Sequence, residues 1–288
     1  VPASSTLPDV LAMEPCNGPV SGTARPPGSK SYTNRALVLA ALARGRSVID
    51  GALFSDDTLH MARSLAALGI AIDSDEAKQR FVVEGCAGKL AVASGSVFVG
   101  NSGTTARFLT PVMALGTGVY ELEGDAAMAK RPIQPLLDAL VILGVKATSI
   151  RGNGCPPVRV ESSGLEGGAV RMAGGISSQY FSALLMVAPC TRRGMQIEVE
   201  GDLVSKPYIT VTAQAMEAFG ATMENDAFRR FEVPPGAYRA TEYLVEPDAS
   251  AASYFFAAAA VTGGRVVVPG LGRRSLQGDL DFVRLLEK

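Results

Sequence analysis

The sequence predicts an α/β fold built from one repeated unit, strand–helix–strand–helix–strand–strand, used three times in full and begun a fourth time. Three observations carry that expectation. Helix-like stretches rich in small apolar residues open at Lys30, Ser102, Ser178 and Ala249, which are 72, 76 and 71 residues apart. Amphipathic stretches after the first three stop at Leu68-Gly69, Leu143-Gly144 and Phe219-Gly220, with the glycines 75 and 76 residues apart. Strand pairs with a polar turn then follow, as in AIDSDEAKQRFVVEG and ATMENDAFRRFEV. Self-similarity at a fixed period marks a repeated supersecondary unit, and three copies in register imply pseudo-threefold symmetry.

Each element has a local reason. The first helix, KSYTNRALVLAALARG, follows Gly28-Ser29, and Ser, Asn and Gly are good caps. The β-rich run SVID comes next, and its counterparts are VYELEG, MQIEVEG and RVVVPG. Asp56 and Asp57 open the second helix beside Ser55; capping is the reading preferred over metal ligation, and His60, on the same helix, reads as a structural or surface histidine. The glycines at 69, 144 and 220 fit the C′ position, where a left-handed residue stops a helix. Three complete units run from about Gly18 to about Tyr238, and a fourth starts near Leu244. Its second helix, GDLDFVRLLEK, reaches Lys288 without closing strands. A helix with an apolar face and no sheet beneath it is an incomplete core, so the expectation is a piece of a longer or split protein.

Composition bounds the class. At 288 residues the chain can bury a sizeable core without metal or disulfide staples. Lys and Arg number 27 against 28 Asp and Glu, a net charge of −1, which argues against a protein that coats nucleic acid. Small anionic ligands need only a few focused charges. Cys16, Cys86, Cys155 and Cys190 lie far apart and read as free thiols. A single histidine excludes a His-rich metal site. The opening VPASSTLPDVLAMEP reads as a loose polar arm, neither an intact signal peptide nor a membrane segment. The compartment expected is the cytoplasm, with a plastid as the alternative.

The helix starts carry the chemistry. They read Gly28-Ser29-Lys30-Ser31, Asn101-Ser102-Gly103-Thr104 and Ser177-Ser178-Gln179. One such start is a cap; three related by a pseudo-threefold axis place three positive helix ends around one point, where phosphates and carboxylates bind. Lys30, Arg35, Arg107, Lys130 and Arg131 cluster at these ends, although a cation there opposes the helix dipole unless an anion is present. Gly-Ser-Lys-Ser lacks the spacing of a P-loop, which excludes nucleoside triphosphate binding of that kind. Arg192-Arg193 and Arg229-Arg230 fall at turns and read as solvated.

PPGSKSYTNRALVLAALARG, GNSGTTARFL, KRPI, GGISSQYFSALLMVAP, GDLVSKPYI, VEPDASAASYF and LQGDLDF resemble, in order, the 5-enolpyruvylshikimate-3-phosphate synthase family. The resemblance covers about Pro15 to Lys288. It implies the inside-out α/β barrel fold of enolpyruvyl transferases, with residues 26–243 as a complete three-repeat domain and 1–25 plus 244–288 as part of a second. It also implies transfer of the enolpyruvyl group of phosphoenolpyruvate to the 5-hydroxyl of shikimate 3-phosphate, with no metal or organic cofactor. Carried over residue by residue, it places Lys30 at the junction of both substrates as charge clamp and proton donor. Ser31, Arg35, Ser177, Ser178, Ser205 and Tyr208 would meet shikimate 3-phosphate. Asn101, Gly103 and Arg131 would serve phosphoenolpyruvate, and Gln179 both ligands.

Two departures qualify this. Ser102 and Phe108 stand where many members have Ala and Pro, which predicts altered sensitivity to the competitor glyphosate. The family's acid/base Asp and Glu and further basic ligands lie beyond residue 288. The chain alone is therefore expected to turn over negligibly and to need a complementing C-terminal piece. The competing readings are the sister UDP-N-acetylglucosamine enolpyruvyl transferase and a non-enzymatic anion- or RNA-binding module. The neutral charge counts against RNA.

Overall fold

A computed structural model describes residues 12 and 14–287. The expected loose arm at residues 1–15 lies almost wholly outside the described residues. In chain order the elements are β1 (Ser21–Thr23), α1 (Lys30–Leu42), β2 (Arg44–Asp50), α2 (Asp56–Ala67), β3 (Ala71–Asp75), β4 (Arg80–Cys86), β5 (Ser94–Phe98) and α3 (Gly103–Ala114). Next come β6 (Thr117–Glu123), α4 (Gln134–Ile142), β7 (Lys146–Ser149), β8 (Val158–Ser163), β9 (Gly168–Ala173), α5 (Ser178–Val187), β10 (Met195–Glu200) and α6 (Lys206–Ala218). The last are β11 (Glu224–Asp226), β12 (Arg230–Val233), β13 (Glu242–Leu244), α7 (Ala249–Thr262), β14 (Arg265–Val267) and α8 (Asp281–Leu286).

The repeat is present in space. Three four-stranded sheets share one order: β13-β2-β4-β3, β5-β6-β8-β7 and β9-β10-β12-β11. In each, the first pair is parallel and the other two are antiparallel. The sheets are separate and open, so the architecture is helices inside and sheets outside, without a closed barrel. The terminal glycines behave as expected: Gly69, Gly144 and Gly220 have φ of 91°, 88° and 86°.

One feature differs from the sequence reading. The first unit does not begin with the strand near Gly18. Its opening strand is β13, which pairs in parallel with β2 from the far end of the chain, while β1 pairs in parallel with β14. The connections β1-α1-β2 and β13-α7-β14 each run between the two sheets, so their four strands make two parallel pairs by exchange. The β1–β14 sheet has only two strands.

The core lies between the first helices of the units. α1 is buried from Tyr32 to Leu42, α3 from Phe108 to Ala114 and α5 from Tyr180 to Val187. Helices apolar on every side are what a central position requires. α1 packs against α2, α3, α5 and α6, and α3 packs against α5. Ala36, Ala40 and Ala41 are fully buried on α1, and side chains of that size let helices approach closely. Outside this centre, α7 buries only Ala249, Ala252 and Ala259, leaving Tyr254 79% and Val261 82% exposed. Among the described residues no helix is long and apolar enough to cross a membrane, and all four cysteines are free.

Two buried tyrosines, Tyr32 and Tyr238, and the partly buried Tyr243 set an alkaline limit on this core. The Tyr238 hydroxyl donates to the Met186 carbonyl at 2.8 Å, and that of Tyr32 to Gln214 Oε1 at 2.9 Å. Burial, above all, pushes the phenols of Tyr32, Tyr238 and Tyr243 above their ordinary value. A folded pKa above the unfolded one contributes stability that is intact below about pH 10 and is lost as pH rises beyond it. The urea midpoint is therefore expected to fall above that pH, with the tyrosinate absorbance of these residues appearing together with loss of far-ultraviolet ellipticity. Complete phenol ionisation with unchanged ellipticity would contradict the burial argument.

Candidate active site

Two cavities adjoin at the start of α1. An open cleft of about 670 Å³ gathers Lys30, Asn101, Gly103, Arg131 and Gln179 of the residues singled out by sequence. A second cavity, about 250 Å³, takes in Ser31, Ser205 and Tyr208. Consecutive residues of one helical turn thus feed different cavities: Lys30 the first, Ser29 and Ser31 the second.

In the first cleft, Gly103 opens α3, and a Cβ there would lie 2.8 Å from Arg131 Nη1 and 3.5 Å from Arg107 Nη1. Two guanidinium groups therefore flank a bare helix start. Arg107 Nη1 donates to Gln179 Oε1 at 2.6 Å, and Gln179 Nε2 donates to Thr104 Oγ1 at 3.2 Å, which ties the start of α5 to that of α3. Lys130 is exposed and lines neither cavity.

The cleft is not simply basic. Lys30, Arg107 and Arg131 share it with Asp56, Asp57 and Asp125. The two aspartates of α2 are not the caps expected from sequence. The Ser55 N–H donates to Thr58 Oγ1 at 3.0 Å, so Ser55 and Thr58 close that helix end. The Asp57 carboxylate pairs instead with Lys30 Nζ at 3.3 Å. His60 also lines the cleft, edge-on to Phe98 with ring centroids 5.9 Å apart. Sequence reasoning missed Asp57 and Asp125 because an acid at a helix start already has a sufficient local explanation.

The second cavity has a different signature. Ser29 and Ser205 precede α1 and α6, yet neither side chain bonds the amides of its helix. Ser205 is left-handed at φ 55°, which turns it out of capping position. Two helix starts with their N–H groups uncapped by Ser29 and Ser205 therefore border one cavity. By contrast, Ser102 accepts from the Thr105 N–H and Ser177 from the Gln179 N–H, both at 3.3 Å. Asp248, Ser250, Gln277 and Asp279 form the opposite wall. Nothing in the spacing of the repeat pointed to them.

Arg35, Ser177 and Ser178 line neither cavity. Arg35 is 2% exposed, and its guanidinium is engaged on every side. Nε donates to Thr212 Oγ1 at 2.8 Å, Nη1 to the Ser31 carbonyl at 3.1 Å, and Nη2 to Ser182 Oγ at 3.3 Å and the Tyr208 carbonyl at 3.2 Å. The Phe108 ring is 5.2 Å and the Tyr208 ring 5.9 Å from its Cζ. Among the described residues no carboxylate bonds it, and burial lowers its pKa to about 10. Phe108 is fully buried in this stack, and Ser102 Oγ is engaged with Thr105 Oγ1 at 2.7 Å. Neither departure presents a free polar group to a competitor, so an effect on one passes through helix position.

Comparison with known proteins gives the family. Residues 16–288 match the family model described as EPSP synthase (3-phosphoshikimate 1-carboxyvinyltransferase). The chain belongs to the EPSP synthase family. Among curated relatives, the 3-phosphoshikimate 1-carboxyvinyltransferase of Sulfurovum sp. is 46% identical over 272 residues, covering 93% of this chain and 64% of that one. The chloroplastic enzyme of Petunia hybrida is 44% identical over 297 residues, covering 99% and 57%. The chain therefore spans less than two thirds of the length of these relatives. In fold, it resembles the EPSP synthase of Acinetobacter baumannii with a TM-score of 0.80 at 24% identity, over 90% of this chain and 57% of the other.

Arg35 is the residue in this family member whose replacement should be felt furthest. A lysine keeps the charge but offers one nitrogen where four acceptors are arranged around a planar fork. Arg35→Lys is expected to lower stability by about 2 kcal/mol or more, since buried acceptors lose a charged donor. Equilibrium urea denaturation measures this; an unchanged midpoint would contradict the cross-brace.

Proposed function

We propose that this chain supplies one side of the active site of a 3-phosphoshikimate 1-carboxyvinyltransferase. The reaction moves the enolpyruvyl group of phosphoenolpyruvate to the 5-hydroxyl of shikimate 3-phosphate and releases phosphate. The observation that carries the reading is the turn Ser29–Ser31, which borders two adjoining cavities at helix starts. Two small anions that must react with each other need such an arrangement, with one cation at the seam.

In this reading phosphoenolpyruvate takes the first cleft. Arg131 clamps it by paired N–H donors, the Gly103 backbone approaches closely, Asn101 supports the loop, and Gln179 touches both ligands. Shikimate 3-phosphate takes the second cavity, against Ser31, Ser205 and Tyr208. Ser177 and Ser178, which line neither cavity, would meet shikimate 3-phosphate from the start of α5 only where it extends beyond the second cavity, and Arg35 acts from behind Ser31 and Tyr208. Lys30 lies between the two as charge clamp and proton donor. Residues 26–243 form the complete domain, and 1–25 with 244–288 belong to a second. The exposed Tyr254 and Val261 and the two-stranded β1–β14 sheet support completion of that domain by a C-terminal segment like that of the longer relatives. The site of action is the cytoplasm, or a plastid as for the Petunia relative.

The test is phosphate release from the two substrates by the chain alone and by the chain mixed with a polypeptide matching the remaining length of its relatives. Turnover is expected only in the mixture, and a mixture made with Lys30→Met should lose it. Robust turnover by the chain alone would overturn the half-site reading.

A further inference from the structure

We infer that Asp57 is a built-in counter-anion for Lys30, so that an anion binding at Lys30 must displace a carboxylate already in place. The inference rests on the reading of the first cleft as an anion site.

The Asp57 carboxylate is free for this role because Ser55 and Thr58 close the start of α2 between them. Its position is fixed from the neighbouring unit. Thr105 Oγ1 donates to the Asp57 carbonyl at 3.3 Å and also contacts Ser102 Oγ at 2.7 Å. Ser102 is buried and caps α3. A chain of hydrogen bonds therefore runs from the loop that carries Asn101 and Gly103, through Thr105, to the backbone of Asp57 and on to Lys30 Nζ. Asp125, a second acid of the cleft, is engaged elsewhere, its Oδ1 accepting from the Ala127 and Met128 N–H groups at 2.9 Å each. The side chains of Lys30 and Asp57 are 49% and 31% exposed, so an entering ion reaches both.

Electrostatics fixes the sign. An anion that bonds Lys30 Nζ must share it with, or take it from, the Asp57 carboxylate already there. Asp57 thus weakens binding of any anion at this point, and only an anion that offers Lys30 more than that carboxylate does displaces it. It also holds the Lys30 side chain at the cleft against the opposing dipole of α1. Asp57 is a positioning and specificity residue and takes no part in bond making.

A double-mutant cycle tests this, read by calorimetric titration of the full 288-residue chain with inorganic phosphate at fixed ionic strength. Asp57→Asn is expected to tighten phosphate binding about fivefold, the size of one partly exposed ion pair. In the Lys30→Met background the same change should alter binding by less than about twofold, because the partner is gone. Ser102→Ala, which loosens the brace without removing the charge, should give a smaller gain than Asp57→Asn. Unchanged or weaker binding in Asp57→Asn, or an equal gain in the Lys30→Met background, would overturn the inference while leaving the anion-site reading intact. Phosphate binding that does not depend on Lys30 at all would overturn both.

Discussion

The guanidinium of Arg35 joins the parts of this molecule that matter for its chemistry. It rises from α1, bonds the carbonyls of Ser31 on α1 and Tyr208 on α6, reaches Ser182 on α5 and Thr212 on α6, and stacks on Phe108 of α3. Four helices from three repeat units meet at one cation that no carboxylate neutralises. Burying such a charge is costly and is offset here because each of the three nitrogens donates to an acceptor. The geometry of the donors then fixes the helices. Ser31 and Tyr208 face the second cavity because their carbonyls are held on its inner side.

From that constraint follows the division of labour at the start of α1. With Ser31 tied inward, Lys30 emerges on the other side and meets the first cleft. There the charges are balanced between three cations and three carboxylates, so the attraction for an anion comes from geometry as much as from net charge. Arg131 stands close against Gly103 because glycine leaves room for it, Arg107 lies beside them, and Gln179 links α5 to α3. The overall charge of −1 gave no sign of this focusing.

Much of the fold was legible in the sequence because its signals are local and repeated. The helix starts at Lys30, Ser178 and Ala249 coincide with the observed first residues, Ser102 is an N-cap, and all three terminal glycines are left-handed. The strand exchange was not legible. β1 and β13 have three residues each, and their partners lie more than 190 residues away, so no pattern within a window marks them. Lys30, Gly103 and Arg131 could be picked out by type and position. Asp57 could not, because capping explained it equally well, and Arg35 gave no hint that it would be buried, since its bonds depend on Thr212 and Ser182 from distant units. Asp248 reaches the second cavity from the start of α7, and Gln277 only after the chain returns from β14, so neither was marked by a local pattern.

The central claim is that anions bind where the helix starts converge. Amide chemical-shift mapping of the 15N-labelled chain during titration with shikimate 3-phosphate tests it most directly. The largest shifts are expected on Ser29–Tyr32, Ser177–Gln179 and Ser205–Tyr208, with few elsewhere. Shifts centred on another surface, such as the Gly270–Ser275 loop, or no saturable shifts at all, would contradict it.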